Sequence, residues 1–285
     1  MPDPAKVAAQ VGRGEPMLRR FDNHQRVQHL VMMVTFILLA ATGLPLKFAD
    51  HSASQWWISF WGGIDNTRSI HHVAAFVMIG DCLYHVAYVL YSTIILKRPF
   101  PFQMVPSPKD VQDMFQDFKY YLRLSPTRGQ YDRFDYRQKF DYWAIFWGMP
   151  IIGISGLILL FPVTVTKILP SWSVPVSLVA HSDEALLAVV WILLVHVVFN
   201  ILSLLEKPIF PLRLPIFHGE MPRERYEKEH PAEYARLEAM AREMNIEAAV
   251  AEPAGVKNAG ARTRRAYAAE FGSSGDQIPP AKPQP

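Results

Sequence analysis

The sequence predicts an all-α integral membrane protein whose core is a bundle of four transmembrane helices. Half of the 285 residues are hydrophobic, yet the mean hydropathy is close to zero, because long apolar runs alternate with strongly polar segments. A helix needs about 20 predominantly apolar residues to cross a bilayer. Four runs satisfy this requirement, at 27–48, 70–96, 142–165 and 178–205.

The distribution of Lys and Arg predicts the orientation of this bundle. Five of these residues precede or begin the first run, nine lie within 97–139, and twelve follow the last run. The other two connections, 49–69 and 166–177, hold few of them. Because basic residues concentrate on the cytoplasmic side of membrane proteins, we expect both termini and the long middle connection to be cytoplasmic.

Several other classes of protein are excluded by what the chain lacks. The opening residues MPDPAKVAAQVGRGEP have no apolar core, so no cleavable signal peptide is expected. Cys82 is the only cysteine, which excludes a disulfide framework and a cysteine-based metal cluster. The absence of a glycine-rich nucleotide-binding motif argues against a flavin or NAD enzyme. No nucleic-acid partner is expected. The lipid bilayer is expected to surround the four apolar runs.

The polar segments before and between the runs have predictable structures. Residues 1–20 are expected to form a cytoplasmic arm with little structure, and Trp56, Trp57 and Trp61 suit a short helix at the outer membrane interface. Segment 107–122 begins with Ser-Pro, a favourable helix start, and its apolar residues recur at helical spacing. We predict an amphipathic helix that either lies on the inner membrane surface or packs beneath the bundle.

The chain is predicted to change character after the four-helix domain, which we assign to 21–210. The proline-rich stretch 206–217 should be extended, and 211–250 should form a cytoplasmic helical segment with a break near Pro231. Residues 251–285 have the composition of a disordered tail.

Histidines in the apolar runs are the main functional signal, because polar groups are costly within a bilayer and usually mark function there. A neutral buried imidazole is a good ligand for haem iron, and a b-type haem needs no covalent attachment. Histidines at matching depths on facing helices therefore predict haem b, with two groups expected across the membrane. The candidates are His29, His71, His72, His85, His181 and His196.

Helical spacing suggests how these histidines pair. His71 and His85 are about 21 Å apart along one helix and roughly 40° apart around it, and His181 and His196 are about 22 Å and 60° apart. The outer pair is then His71 with His181, and depth alone pairs His85 with His196. His72 points away from His71 and is expected to be a hydrogen-bonded neighbour.

The residues that surround these histidines resemble a known family. RVQHLVMMVTFILLAATGLPLKF is similar to the first helix of the four-helix di-haem b-type cytochromes that serve as membrane subunits of respiratory formate dehydrogenases and nickel–iron hydrogenases. Its Arg-x-x-His start is Arg26 and His29, and its Thr-Gly-Leu exit is 42–44. RFDYRQKFDYWAIFWG and AHSDEALLAVVWILLVHVVFN look closer to a cytochrome b/b6-type branch that is often associated with periplasmic multihaem cytochromes. The resemblance covers about 21–234.

The resemblance implies an outer haem on His71, with His72 as an alternative, and His181. It also implies an inner haem on His29 and His196, which conflicts with the depth pairing, and both inner pairings stay open. If His29 is the ligand, His85 would be available for a third haem or for a quinone site.

The function that the resemblance implies is electron transfer by a bacterial inner-membrane subunit, between the quinone pool and a periplasmic multihaem cytochrome c or dehydrogenase subunit. Quinone chemistry couples electrons to protons, so Asp81, Asp183 and Glu184 are candidates for a quinone, proton or haem-propionate environment. Asp183 and Glu184 have an alternative role as carboxylates near a helix start.

Two other functions stay open from the sequence. One is a non-redox four-helix membrane scaffold or sensor whose histidines bind a labile metal. The other is a self-contained superoxide or quinol oxidase that needs no partner.

Overall fold

The structure, a computed structural model, describes residues 1–98, 100–202 and 214–251. The elements of the first half are α1 (Pro4–Gly12), β1 (Met17–Arg19), α2 (Asn23–Lys47), α3 (Ser52–Phe60), α4 (Ile64–Ile94), a 3-10 turn (Phe102–Met104) and α5 (Pro108–Tyr121). Those of the second half are α6 (Tyr136–Leu160), α7 (Pro162–Val165), α8 (Ser173–Trp191) with a π-helical continuation (Ile192–Leu202), α9 (Pro215–His218), β2 (Glu220–Pro222), α10 (Arg223–Glu229) and α11 (Pro231–Ala251).

Four of these helices are long and apolar enough to cross a membrane, which confirms the predicted all-α membrane fold. They are Asn23–Lys47, Ile64–Ile94, Tyr136–Leu160 and Ser173–Val198. Each begins four to six residues before the apolar run predicted for it, and in α2, α4 and α6 polar residues form most of the first turn. In α2 and α6 that turn is fixed by a capping box, Asp22 with Gln25 and Asp135 with Gln138.

The spanning helices bury little of their own surface. Of the 18 most apolar consecutive residues in each spanning helix, at most 11% are buried inside the protein. The main packing is between consecutive helices, α2 against α4 and α6 against α8. Between these two hairpins lies a large cavity, which is described below.

The two ends of the described chain form a small folded unit, which we call the terminal cap (α1, β1, β2, α10 and α11). Strands β1 and β2 pair antiparallel, with Leu18 opposite Met221. Around them, Val7, Tyr226 and Leu237 are almost fully buried. The expectation of an N-terminal arm with little structure is therefore wrong. Helix α1 is only nine residues long, and its partner α11 lies more than 200 residues away in the sequence.

A buried ionic cluster joins the terminal cap to the loop before α6. Glu233 accepts from Arg20 at 3.2 Å and from Arg133 at 2.9 Å, and the side chains of all three are at most 3% exposed. Tyr226 donates to the same carboxylate at 2.6 Å. Burial raises the pKa of Tyr226 to about 12 and lowers that of Arg20. The cluster fixes the chain just before α2.

The terminal cap also constrains the topology. Strand β1 precedes the first spanning helix, and β2 follows the last one. Since the two strands are hydrogen-bonded to each other, they must lie on the same side of the membrane. This requires an even number of crossings, in agreement with four spans. Which side this is remains a prediction from the charges.

The other predicted elements compare as follows. The tryptophan-rich helix is present as α3, the amphipathic helix as α5 with the predicted start at Ser107 and Pro108, and the break near Pro231 separates α10 from α11. The stretch 206–217 is mostly outside the described residues, and its end forms the one-turn helix α9 instead of extended chain. The predicted disordered tail lies outside the described residues except for residue 251.

Candidate functional site

Two pairs of histidines face each other across the bundle. His71 on α4 and His181 on α8 have ring centres 6.2 Å apart. His29 on α2 and His196 on the π-helical continuation of α8 also have ring centres 6.2 Å apart. Because α2 and α4 are consecutive spans, and both His29 and His71 lie near the first turns of their helices, the two pairs lie at opposite ends of the bundle.

His71 is oriented by the helix next to it. Its Nδ1 lies 2.9 Å from the hydroxyl of Thr42, and that hydroxyl donates its own proton to the carbonyl of Leu38 at 2.6 Å. The hydroxyl can therefore only accept from the ring, which places the histidine proton on Nδ1. The other ring nitrogen, Nε2, is left with a free lone pair, the form in which imidazole binds a metal.

His181 is held in a similar way by α6. Its Nδ1 lies 2.9 Å from the carbonyl oxygen of Ile152, which can only accept, and 3.4 Å from the hydroxyl of Ser155. Nδ1 of His181 therefore carries the proton, and Nε2 has the free lone pair.

A glycine lies against each of these two rings. A Cβ atom added at Gly43 would come within 3.1 Å of Cε1 of His71, and one added at Gly156 within 3.0 Å of Cε1 of His181. Any larger residue would displace the ring. The two glycines thus leave room for the ring positions seen in the structure.

The pair of His29 and His196 is supported by a carboxylate. Nδ1 of His196 donates to Asp141 at 2.9 Å, and the other oxygen of Asp141 accepts from the indole of Trp191 at 2.8 Å. Nδ1 of His29 is buried and has no hydrogen-bond partner among the described residues. In the pair of His29 and His196, the His196 ring is therefore held strongly, whereas Nδ1 of His29 has no hydrogen-bond partner among the described residues.

The π-helical segment helps to explain how α8 reaches both pairs. Fifteen residues of α-helix would place His196 about 60° away from the face of His181. A π-helix turns less per residue than an α-helix, because its hydrogen bonds span five residues instead of four. The continuation from residue 192 therefore reduces this offset and brings His196 closer to the face of His181.

His85 does not face His196. Its Nδ1 lies 2.7 Å from the side-chain oxygen of Gln28, and its Nε2 lies 3.0 Å from the hydroxyl of Tyr142. Its ring packs edge-on against Tyr142 and Phe146. Both ring nitrogens are thus engaged by side chains, whereas His29 occupies the position opposite His196.

The carboxylates and His72 have different environments. One oxygen of Asp81 is buried without a partner among the described residues. Asp183 is 65% exposed and forms an ion pair with Lys47 at 2.7 Å, whereas Glu184 lines the cavity between the helices. The His72 ring lies edge-on to His71, with centres 6.5 Å apart. Its predicted hydrogen bond is not formed within the described part of the chain.

One continuous cavity of about 4180 Å³ extends between the helices, and both histidine pairs line it. Typical ligand pockets measure about 300–1,000 Å³, so this space can hold more than one large planar group. With metal–nitrogen bonds of about 2 Å, two imidazoles on opposite sides of one metal have ring centres roughly 6 Å apart. Both pairs therefore fit a haem iron between them.

The same residues do not fit a site for a labile metal ion. Such sites collect three or more protein ligands at one point. Among the described residues, no group of three or more histidine, cysteine or carboxylate side chains could hold a metal ion.

Sequence reasoning identified the histidines but missed the side chains that orient them. A signal was available, because ATGL at 41–44 and ISGL at 154–157 share a hydroxyl–Gly–Leu pattern. Each pattern places a hydroxyl and a glycine against a histidine of the neighbouring helix. Asp141 gave no comparable signal, since one carboxylate near a helix start is common.

Comparison with known proteins gives one family. The family model described as prokaryotic cytochrome b561 matches residues 20–206. A search of curated proteins finds no match. The matched region contains both histidine pairs and all four candidate spans, whereas every element of the terminal cap lies outside it.

Proposed function

The chain belongs to the prokaryotic cytochrome b561 family, a family of membrane proteins that bind haem b and transfer electrons, and from this premise we propose that it moves electrons across the membrane between the quinone pool and a periplasmic redox partner. The observation that carries the proposal is the presence of two facing histidine pairs at opposite ends of one bundle. A single pair would serve only one side of the membrane.

We assign the outer haem to His71 and His181 and the inner haem to His29 and His196. When bound, a haem supplies an iron that accepts and releases one electron at a time. The chain's own part is to present each imidazole with its proton on Nδ1. Thr42, Ile152 and Asp141 support this for three of the four rings. Such partners of a metal ligand fix its tautomer and orientation.

The spacing of the pairs suits transfer across the membrane. His181 and His196 are 15 residues apart on one helix, which corresponds to about 22 Å along its axis. The hydrocarbon core of a bilayer is about 30 Å thick. Two haems at these depths would divide the crossing into shorter steps.

His85 and its partners are our candidates for contact with the quinone. The His85 ring is within hydrogen-bond distance of Gln28 and Tyr142. In the sequence, Gln28 precedes His29 and Tyr142 follows Asp141. Asp81 lies one helical turn before His85 and lines the same cavity. Quinone reduction and oxidation require proton transfer, and these groups lie beside the inner pair. Asp183, held by Lys47 at the outer end, is less suited to this role.

The partner we propose is a periplasmic multihaem cytochrome c or a dehydrogenase subunit, and the membrane is the bacterial inner membrane with both termini in the cytoplasm. The concentration of Lys and Arg at the termini and in the middle connection supports this orientation. The alternative of a labile-metal scaffold has no support from the side-chain geometry of the described residues.

The experiment that tests the assignment is a haem count per chain, by pyridine haemochrome assay of the purified protein. We expect two haem b per chain for the wild type, one for His29→Ala and two for His85→Ala. Addition of a reduced quinone analogue should then generate the α-band of ferrous haem b in the wild type.

The two alanine variants serve as controls for each other, because both histidines lie near the same end of the bundle. Loss of a haem from His85→Ala with none lost from His29→Ala would restore the depth pairing. A wild-type protein without b-type absorption would exclude electron transfer altogether.

A further inference from the structure

Helix α5 has an apolar face that the described residues leave largely exposed. The six residues of this face recur at helical spacing, and each is between 43% and 62% exposed. Since α5 is followed by a polar loop and is not a spanning helix, such a face needs a partner other than water. We call it the α5 apolar face: Val111, Met114, Phe115, Phe118, Tyr121 and Leu122.

A second side of α5, roughly 110° around the helix from the apolar face, is attached to the chain through its three aspartates. Asp110 accepts from Lys139 at 2.8 Å. Asp113 accepts from the backbone N–H of Gln130, in the loop after α5, at 3.2 Å. Asp117 is only 1% exposed and accepts from Tyr131 and from the backbone of Gly129. The acidic side of the helix is thus turned inward and neutralised, and the apolar side faces outward.

The attachment places the start of α5 near the membrane surface. The indole of Trp143 donates at 2.8 Å to the carbonyl of Met104, just before α5. Lys139, one turn into α6, holds Asp110 in the first turn of α5. With 25 residues, α6 is about 37 Å long, several ångströms more than the roughly 30 Å hydrocarbon core. Its first turn therefore lies at the level of the lipid headgroups.

The same contacts show that α5 runs across α6. Asp110 contacts Lys139, and Asp117, two turns later, accepts from the hydroxyl of Tyr136 at 3.2 Å. Between these contacts the chain advances about 10 Å along α5 but only about 4.5 Å along α6. A helix that advances so little along a spanning helix lies closer to the membrane plane than to the membrane normal.

We propose that α5 lies in the headgroup layer at the N-terminal end of α6, with the α5 apolar face on the lipid acyl chains. Lys119 and Arg123 flank this face and form no ion pair with the described residues, so they are available for anionic phosphates of the headgroups. Amphipathic helices with this arrangement bind the surface of a bilayer. The charge distribution predicts that this is the cytoplasmic leaflet.

Depth-dependent quenching tests the proposal on the haem-loaded, full-length protein in lipid nanodiscs. In a Cys82→Ser background, Phe118→Cys on the apolar face and Gln112→Cys on the polar side of the same helix are each labelled with an environment-sensitive fluorophore. Nanodiscs contain phosphatidylcholine and phosphatidylglycerol, with a spin-labelled lipid as quencher. We expect blue-shifted emission and several-fold stronger quenching for the label at 118 than for the label at 112.

Each other outcome decides against the proposal. Equal quenching at both positions would show that the face is not in lipid. A label at 118 that is protected from aqueous quenchers but not quenched by the lipid would show that a protein, such as a second copy of the chain, covers the face. Lys119→Gln with Arg123→Gln should weaken quenching at 118 in anionic discs and leave it unchanged in pure phosphatidylcholine; equal weakening in both would overturn the headgroup contact.

Discussion

The two histidine pairs have the same spacing but different supports, and the difference bears on what each can do. Neutral oxygens hold the outer rings, namely the Thr42 hydroxyl and the Ile152 carbonyl, and glycines lie against them. A carboxylate holds one inner ring, and the other has no partner for its Nδ1 among the described residues. Equal spacing therefore does not imply equal electronic character.

A carboxylate raises the basicity of the histidine that it orients. A more basic ligand stabilises the oxidised form of a metal. We therefore expect the haem assigned to His29 and His196 to have the lower reduction potential, since hydrogen bonds around the ligands are one of the controls on that potential. The outer site, with neutral partners, should have the higher one.

The largest effect should come from filling the space beside an outer ring. Gly156→Val places atoms where His181 now lies, and we expect loss of the outer haem and a fall from two haems to one per chain. Gly153→Val is the matched control, because a Cβ at Gly153 meets nothing within 4 Å on the same helix. The pyridine haemochrome assay measures both. Equal losses from the two variants would mean that the glycine has no specific role at the outer site.

A smaller effect is expected when the charge beside the inner pair is removed. Asp141→Asn keeps a hydrogen-bond acceptor but not the negative charge, so the inner haem should become easier to reduce. Hydrogen bonds to charged groups contribute about 1.5–3 kcal/mol. If this hydrogen bond stabilises the oxidised haem about 1 kcal/mol more than the reduced haem, its weakening raises the reduction potential of the inner haem by roughly 40 mV. Redox titration followed at the α-band measures this reduction potential. If the lower of the two potentials is unchanged in Asp141→Asn, the proposed difference between the two sites is wrong.

The smallest effect should follow the loss of a neutral acceptor at the outer pair. Thr42→Val has nearly the same shape but cannot accept from Nδ1 of His71. Since hydrogen bonds to neutral groups are roughly half as strong as those to charged ones, we expect the outer potential to rise by about 20 mV. The same redox titration, with the inner potential as internal reference, checks this. A shift larger than that of Asp141→Asn would reverse the proposed difference between the sites.

The sequence predicted the fold well because length and apolarity alone determine where a helix can cross a bilayer. The facing of His71 and His181 agrees with their predicted depths, since both lie in regular α-helix, where residue counts convert directly into depth. The inner pairing was ambiguous because the depth of each histidine was counted from the basic residues at the ends of the apolar runs. His29 lies two turns into α2, because this helix begins at Asn23, four residues before the predicted apolar run.

What the sequence could not supply were contacts between distant segments. The hydrogen bonds of His85 to Gln28 and Tyr142 each join residues 57 positions apart. The terminal cap depends on contacts over 200 positions, and α11, in its second half, has little periodic signal. Such contacts follow from how helices pack, which single-sequence patterns do not contain.

The buried contact of Arg20 with Glu233 has a consequence for biogenesis. During synthesis Arg20 emerges first, and Glu233 emerges only after all four spanning helices have been made. The terminal cap can therefore close only when the nascent chain is nearly complete and both its ends have been delivered to one side of the bilayer. A chain that lacked one of the four crossings would leave its two ends on opposite sides of the bilayer and could not close the cap.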